Sequence, residues 1–466
     1  MSVMIGETLS LCPECLRRIP AQRVDRQGSV YLEKTCPEHD SFRTLIWRGD
    51  GVSYLDWARN SQKAIGPLEC VTQADKGCPF DCGLCSGHRA NACTMVMEVT
   101  QRCDLGCPVC FADTDCASNG EPDMSVIEQM YKTVLKVTGT PAIQLSGGEP
   151  TMRDDLPEIV AMGKRMGFHH IMINSNGIRI AREPDYLQRL LDAGAGTIYL
   201  QFDGVTDEVY RYMRGRDLFD LKTRVIENCA RKGIGVLLIP TLKPGVNDHE
   251  LGAIIRFAQS WIPTVRGVHF QPISYIGRYP AAPKDEDRIT IPDVIGKLVQ
   301  QTNGELRTEN FLPRRSEDSH CSFSSLFILK EGRLKAISRR YTNVLPSAWA
   351  GHFRTPWESA RSFMNLHWQS AGQKPDRPET CGCCSSGDEP YHVAAADGFT
   401  ISCMPFQDVW SIDLERVQRC CGHVVTEYGR ILPFCTYYLT DRHGRRLYPV
   451  PESKSTGRGK AAEHHG

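Results

Sequence analysis

No run of about 18 apolar residues occurs in this 466-residue chain, so the sequence offers no candidate membrane-spanning helix. The opening stretch, MSVMIGETLSLCPEC, lacks a basic region followed by an apolar one, and no secretory leader is expected. Neither sign of charge is in excess. Lys and Arg total 55, Asp and Glu total 55, and the formal net charge is +0. Without a basic or acidic surplus there is no electrostatic footprint for nucleic acid or for an anionic membrane, and no nucleic-acid partner is expected. These absences together lead us to expect a soluble, cytoplasmic protein. Its length suits roughly two or three domains.

What the chain does have is cysteine, 21 of them, most in short clusters instead of the scattered pairs of a small secreted scaffold. Metal is the simplest explanation. Four territories stand out: Cys12, Cys15 and Cys36; Cys78, Cys82, Cys85 and Cys93; Cys103, Cys107 and Cys110; and a C-terminal set running from Cys321 to Cys435. Cys70, Cys116 and Cys229 fall outside them, and Cys229 reads as a small core residue on a helix. CPEC at Cys12–Cys15 and CPEH at Cys36–His39 make a CxxC and CxxH pair, the pattern of a tetrahedral Zn²⁺ or mononuclear iron site that folds a module too small for its own core.

The middle of the chain alternates strand and helix patterns. Strands are expected at TMVMEVT, PAIQLSGGEP, HHIMINSNG, TIYLQFDG, GVLLIPTL and GVHFQPIS, with amphipathic helical spacing between them. Such a pattern demands parallel strands with right-handed crossovers, as an open sheet or a full or partial barrel, with the site at the strands' C-terminal ends. Cys103, Cys107 and Cys110 follow the first strand, Gly147, Gly148, Glu149 and Pro150 the second, Asn174 to Gly177 the third, and Gln201 to Gly204 the fourth. Asn174 and Ser175 suit a turn equally well.

The CxxxCxxC loop QRCDLGCPVCFA, the GGEP after strand two and FDGVTDEVYRYMRG after strand four resemble the radical SAM superfamily. The resemblance implies an α/β fold, a partial (β/α)6 barrel. It also implies a [4Fe-4S] cluster on Cys103, Cys107 and Cys110, whose open iron chelates S-adenosylmethionine (SAM). Gly147 and Gly148 would let backbone meet the methionine amino group, with Glu149 adding charge, while Gln201 and Asp203 are candidates for the SAM ribose. Gln201 departs from the serine common in the family.

KGCPFDCGLCSGHRANAC repeats the cysteine spacing upstream but adds Cys93 and precedes the first strand. Cys78, Cys82, Cys85 and Cys93 can therefore saturate an auxiliary cluster, with a zinc site as the alternative. The N-terminal module, this loop and DLERVQRCCGHVVTEYGRILPFCTYY resemble the archaeal tetraether lipid synthase group and its bacterial relatives. That resemblance implies a second auxiliary cluster on Cys403, Cys420 and Cys435 with Cys321 or Cys384 as fourth ligand, the choice between Cys420 and Cys421 staying open. It also implies a flavodoxin or ferredoxin as electron donor, and a lipid substrate met at the membrane surface. The expected organisation is a rubredoxin-like or zinc-ribbon module at 1–66, a cluster loop at 67–93, the barrel at 94–300, a C-terminal auxiliary-cluster domain at 301–440 and a disordered tail at 441–466. The reaction implied is hydrogen abstraction from an unactivated carbon by a 5'-deoxyadenosyl radical, in the service of lipid carbon–carbon coupling. Radical methylation or sulfur insertion is the enzymatic alternative, and iron–sulfur electron transfer or sensing without SAM is the non-enzymatic one.

Overall fold

A computed structural model describes residues 2–49, 51–59, 66–67, 69–114, 121–336, 361, 364 and 398–448. Cys116, the CGCC cysteines including Cys384, and the tail beyond 448 lie outside the described residues.

Strands β1 (Ser2–Leu11), β2 (Arg18–Arg26), β3 (Ser29–Thr35) and β4 (Ser41–Trp47) form an antiparallel sheet in chain order. CPEC turns β1 into β2, and CPEH turns β3 into β4. The apolar cluster between the two turns holds only Cys12, Ile19 and Cys36 as buried members, too few to hold the turns together by burial alone. A short helix, α1 (Tyr54–Ala58), follows, capped by the Ser53 hydroxyl, which accepts from Asp56 N.

The expected alternation then runs through β5 (Thr94–Thr100), α2 (Met124–Thr138), β6 (Ala142–Gly147), α3 (Leu156–Arg165) and β7 (Ile171–Ser175). It continues through α4 (Ile178–Arg182), α5 (Pro184–Asp192), β8 (Thr197–Gln201), α6 (Asp207–Arg214), α7 (Phe219–Lys232) and β9 (Gly235–Ile239). The short β10 (Thr241–Leu242), α8 (Leu251–Gln259), β11 (Val265–Pro272) and α9 (Ile291–Gln301) complete it. All neighbouring pairs from β5 to β9 and on to β11 are parallel. Outward residues such as Met97, Leu145, Ile173, Ile198 and Leu238 join the helices in one core, where Cys229 is also buried. Inward residues divide between a smaller apolar cluster that includes Met172, Tyr199 and Leu237 and polar groups that face the cavity. Asn174 and Ser175 lie within β7, in register with Tyr199 and Leu200, not in a turn.

The six strands are not the whole sheet. Of the later strands β12 (Leu312–Pro313), β13 (Phe323–Lys330), β14 (Arg333–Ala336), β15 (Gly398–Cys403), β16 (Gly422–Val425) and β17 (Ile431–Pro433), two are parallel additions to the barrel's own edges. β15 pairs with β11, Gly267 opposite Thr400, and β16 pairs with β5, Thr94 opposite Gly422. Antiparallel β13 and β17 lie beyond them. A six-strand partial barrel leaves two rows of unpaired backbone groups, and the C-terminal residues satisfy both. Among the described residues, the strands of the 301–440 segment thus continue the barrel sheet.

Candidate active site

The second cysteine loop leaves the end of β5 and is strapped in place by Arg278. Cys110 and Arg278 exchange backbone hydrogen bonds at 2.9 Å, and the Arg278 guanidinium donates to Cys107 O at 3.1 Å and to Thr114 O at 2.7 Å. Cys103, Cys107 and Cys110 line one cavity of about 280 Å³ inside the barrel. Burial pushes the Cys103 thiol up to about 12, so a proton leaves it readily only when a cation takes its place.

The GGEP loop docks against this loop. Gly148 N donates to Thr100 O and Glu149 N to Arg102 O, both at 2.8 Å. A Cβ on Gly147 would sit 2.1 Å from Thr100 O, and one on Gly148 2.1 Å from Arg102 O. The two glycines are therefore required by the close passage of backbone on backbone, a reason different from the ligand approach expected of them. Glu149, which also lines the cavity, is engaged by groups of the chain itself. Its buried carboxylate accepts from Asn176 N at 2.6 Å, Ser175 Oγ at 2.8 Å and Thr151 N at 3.1 Å. Burial raises its proton affinity, against those hydrogen bonds. Asn176 Nδ2 donates to Asp104 Oδ1 at 2.6 Å, so Glu149 and Asn176 lock three loops to one another.

Gln201 lines the cavity, its Oε1 accepting from Lys222 Nζ at 3.2 Å. Lys222 is fully buried on α7, also donates to Asn176 O at 2.5 Å, and is brought down by burial to about 8. Asp203 does not face the cavity. It is 0% exposed, and its two oxygens accept from Arg214 Nε at 2.7 Å and Nη2 at 2.8 Å. Arg214 is the group that reaches the cavity wall, beside Cys107. Sequence reasoning passed over Arg214, Lys222 and Arg278. Asp203 near the start and Arg214 near the end of FDGVTDEVYRYMRG, one helix apart, were the available signal for the first.

Three thiols on a strapped loop, facing a cavity with a guanidinium, an amide and backbone in its wall, fit a [4Fe-4S] cluster with SAM beside it. When bound, that pair supplies an open iron for the amino acid end of SAM and the electron that cleaves its C–S bond. The chain's own part is to hold the loop, exclude water from the barrel, and fix Gln201 and Arg214 through Lys222 and Asp203.

The other cysteine sets are arranged differently. In the ribbon the ligand atoms of Cys12, Cys15, Cys36 and His39 all lie within 4.8 Å of one another, the closeness a single ion requires and the three loop thiols do not share. Burial raises Cys12 to about 11; Cys36, despite burial, falls to about 7 through its contacts with His39 and the backbone. Cys78, Cys82 and Cys85 form their own group, with Cys82 N donating to Tyr448 Oη at 3.2 Å. Cys93, expected as their fourth member, instead has its Sγ 2.7 Å from Cys421 Sγ, and both line the cavity at the N-terminal end of β5. Cys420 points the other way, its thiol raised by burial and by Cys435 and Cys321 beside it. Cys403 joins neither group. The pleat of β15 sends Ser402 inward to His269, at 2.8 Å, and packs Cys403 into the outer apolar core, where burial alone raises it. Met404 and Phe406, just beyond β15, line the cavity.

Two family models match the chain: the radical SAM superfamily over residues 97–258, and the HMPTM N-terminal zinc ribbon domain over residues 4–48. The 7,8-dihydro-6-hydroxymethylpterin dimethyltransferase of Methanocaldococcus jannaschii is 37% identical over 94% of this chain and 94% of its own. A probable GTP 3',8-cyclase of Methanothermobacter marburgensis is 32% identical over 37% of this chain and 55% of that protein. The Fe-coproporphyrin III synthase of Methanosarcina barkeri is 28% identical over 52% and 60% respectively. The shorter matches cover between about a third and a half of this chain, whereas the first covers nearly all of it. A [4Fe-4S] cluster, SAM and a ribbon-bound zinc are accordingly this enzyme's cofactors. Strapped cysteine loop, docked glycines and parallel barrel are thus one inherited device, and the chain belongs to the radical SAM superfamily.

Proposed function

We propose that the enzyme methylates carbon on a reduced pterin. One SAM, cleaved with one electron from the reductant, gives methionine and a deoxyadenosyl radical that takes the C–H hydrogen as 5'-deoxyadenosine. A second SAM gives its methyl to that carbon and, with a second electron, leaves as S-adenosylhomocysteine. This is the methylase alternative of the sequence reading. The lipid-coupling reading has no support among the relatives found, and the relative that shares nearly the whole chain is named for methyl transfer to a dihydropterin. The observation that carries the proposal is the cavity wall below the cysteine loop. Val96, Ile239 and Met404 give it apolar faces, while Gln144, Asn174, Gln271 and Glu317 bring hydrogen-bonding groups into the same space. Apolar walls with a few convergent polar groups suit a flat, nitrogen-rich ring better than two long hydrocarbon chains. We also assign Cys321, Cys420 and Cys435 to an auxiliary cluster, and Cys78, Cys82 and Cys85 to another.

The test is anaerobic incubation of the reconstituted, reduced enzyme with SAM and 7,8-dihydro-6-hydroxymethylpterin, followed by mass spectrometry. The expected result is pterin bearing one or two added methyl groups together with 5'-deoxyadenosine. Deoxyadenosine without methylated pterin, or methyl transfer to a lipid only, would remove this substrate and leave the superfamily membership standing.

A further inference from the structure

The barrel interior is layered. At its upper rim, where β6, β7 and β8 end, Gly148, Asn176 and Gln201 surround the cysteine loop. At its lower end Cys93, Cys421 and Met364 close the floor. Between them lies a belt of inward side chains that the SAM end does not use, and Asn174 is the odd member. Its Oδ1 is buried and, among the described residues, has no hydrogen-bond partner, yet the side chain lines the cavity. In register with Tyr199, it stands two residues before Asn176 on one chain and, through that partner, two before Gln201 on the next. Two strand residues span roughly 6.6 Å, which sets the amide below the rim groups and above the thiol floor. A buried carbonyl oxygen without a donor is costly, and such an atom in a cavity wall is accounted for when a ligand supplies the donor.

We infer that Asn174 is a specificity-determining residue, its carboxamide oxygen accepting a hydrogen bond from a ring N–H or amino group of the substrate. This rests on the reduced-pterin reading. A dihydropterin carries such donors along its amino-lactam edge and on its reduced ring nitrogen, while the carbons to be methylated carry none. Holding the ring by an N–H in the middle of the barrel leaves its other edge directed to the rim, where the cysteine loop lies. The contact therefore selects the heterocycle and also orients it.

The experiment uses the reconstituted holoenzyme with SAM, under anaerobic conditions, and measures binding of 7,8-dihydro-6-hydroxymethylpterin through the pterin's own fluorescence. Asn174→Leu removes the acceptor and is expected to weaken binding about 10- to 100-fold. Asn174→Asp keeps an acceptor at the same place and is expected to restore most of the affinity, with a thermal melt for each variant to show that the barrel is folded. In turnover the Leu variant should raise KM more than it lowers kcat. If wild type binds the pterin and the folded Leu variant binds it equally well, the inference is overturned while the pterin reading survives. If the wild type itself does not bind the pterin, both fall together.

Discussion

Asp203 does not line the cavity, and its carboxylate is engaged by Arg214. The pair is almost fully enclosed, with side chains 8% and 0% exposed. In such a place the carboxylate's contribution is to let a guanidinium exist beside Cys107. Asp203→Asn keeps the shape but leaves Arg214 buried without its counter-charge, a change that typically costs about 3–5 kcal/mol. The urea midpoint of the variant should fall accordingly, and SAM affinity should fall with it as Arg214 loses its fixed position. An unchanged midpoint would show that the pair does not stabilise the rim. At this scale the sequence conveys which residues matter better than what each does. Motif and strand end coincide at Glu149 and Asp203, which is what makes them stand out in the sequence. Their partners lie on other strands and helices, so that one acts as a cap for Asn176 and the other as a hold on Arg214 could not be seen in a linear string.

Among elements, the six central strands are legible because each is a short apolar run bounded by glycine or polar turns and followed by an amphipathic helix. β15 and β16 are not. Each is a brief strand inside an irregular, cysteine-rich segment, and each acquires its meaning from a distant partner, β11 or β5. The same gap explains the cysteine assignments. Position relative to β5 distinguishes the two CxxxCxxC copies, one before the strand and one after it, but the fate of Cys93 depends on β16 arriving alongside it. The extended chain entering β16 also separates two adjacent thiols, Cys421 toward Cys93 and the cavity, Cys420 toward Cys321 and Cys435. On our assignment, Cys420→Ser should lose roughly four irons per chain, and Cys421→Ser should retain them. Iron quantitation with Mössbauer spectroscopy decides this. Loss of iron in the Cys421 variant, with none in the Cys420 variant, would reverse the two roles.

For the molecule as a whole, the ribbon is joined to the chain's far end instead of standing apart. Arg23 on β2 pairs with Asp413 at 2.7 Å and Glu415 at 2.8 Å, Ser10 Oγ donates to Ile412 O at 2.5 Å, and the buried Lys34 Nζ donates to Val409 O at 2.7 Å. The segment it grips, 409–415, leads directly into Cys420 and β16, and so into the barrel edge. Since the apolar cluster between the two cysteine turns is only three residues, the placing of those turns depends on the ion that Cys12, Cys15, Cys36 and His39 can hold. Zinc should therefore stabilise more than the ribbon. Cys12→Ser with Cys15→Ser, or chelation of zinc from the wild type, is expected to remove one zinc per chain and to speed hydrogen exchange across 409–415 as well as across β1 to β4. Exchange at β7 and β8, in the barrel's middle, should stay slow. Faster exchange confined to the ribbon would mean that the C-terminal segment holds its place unaided. Faster exchange at both sites would identify the zinc module as a clamp on the strand that closes the barrel, and explain why a redox enzyme carries a metal that does no redox chemistry.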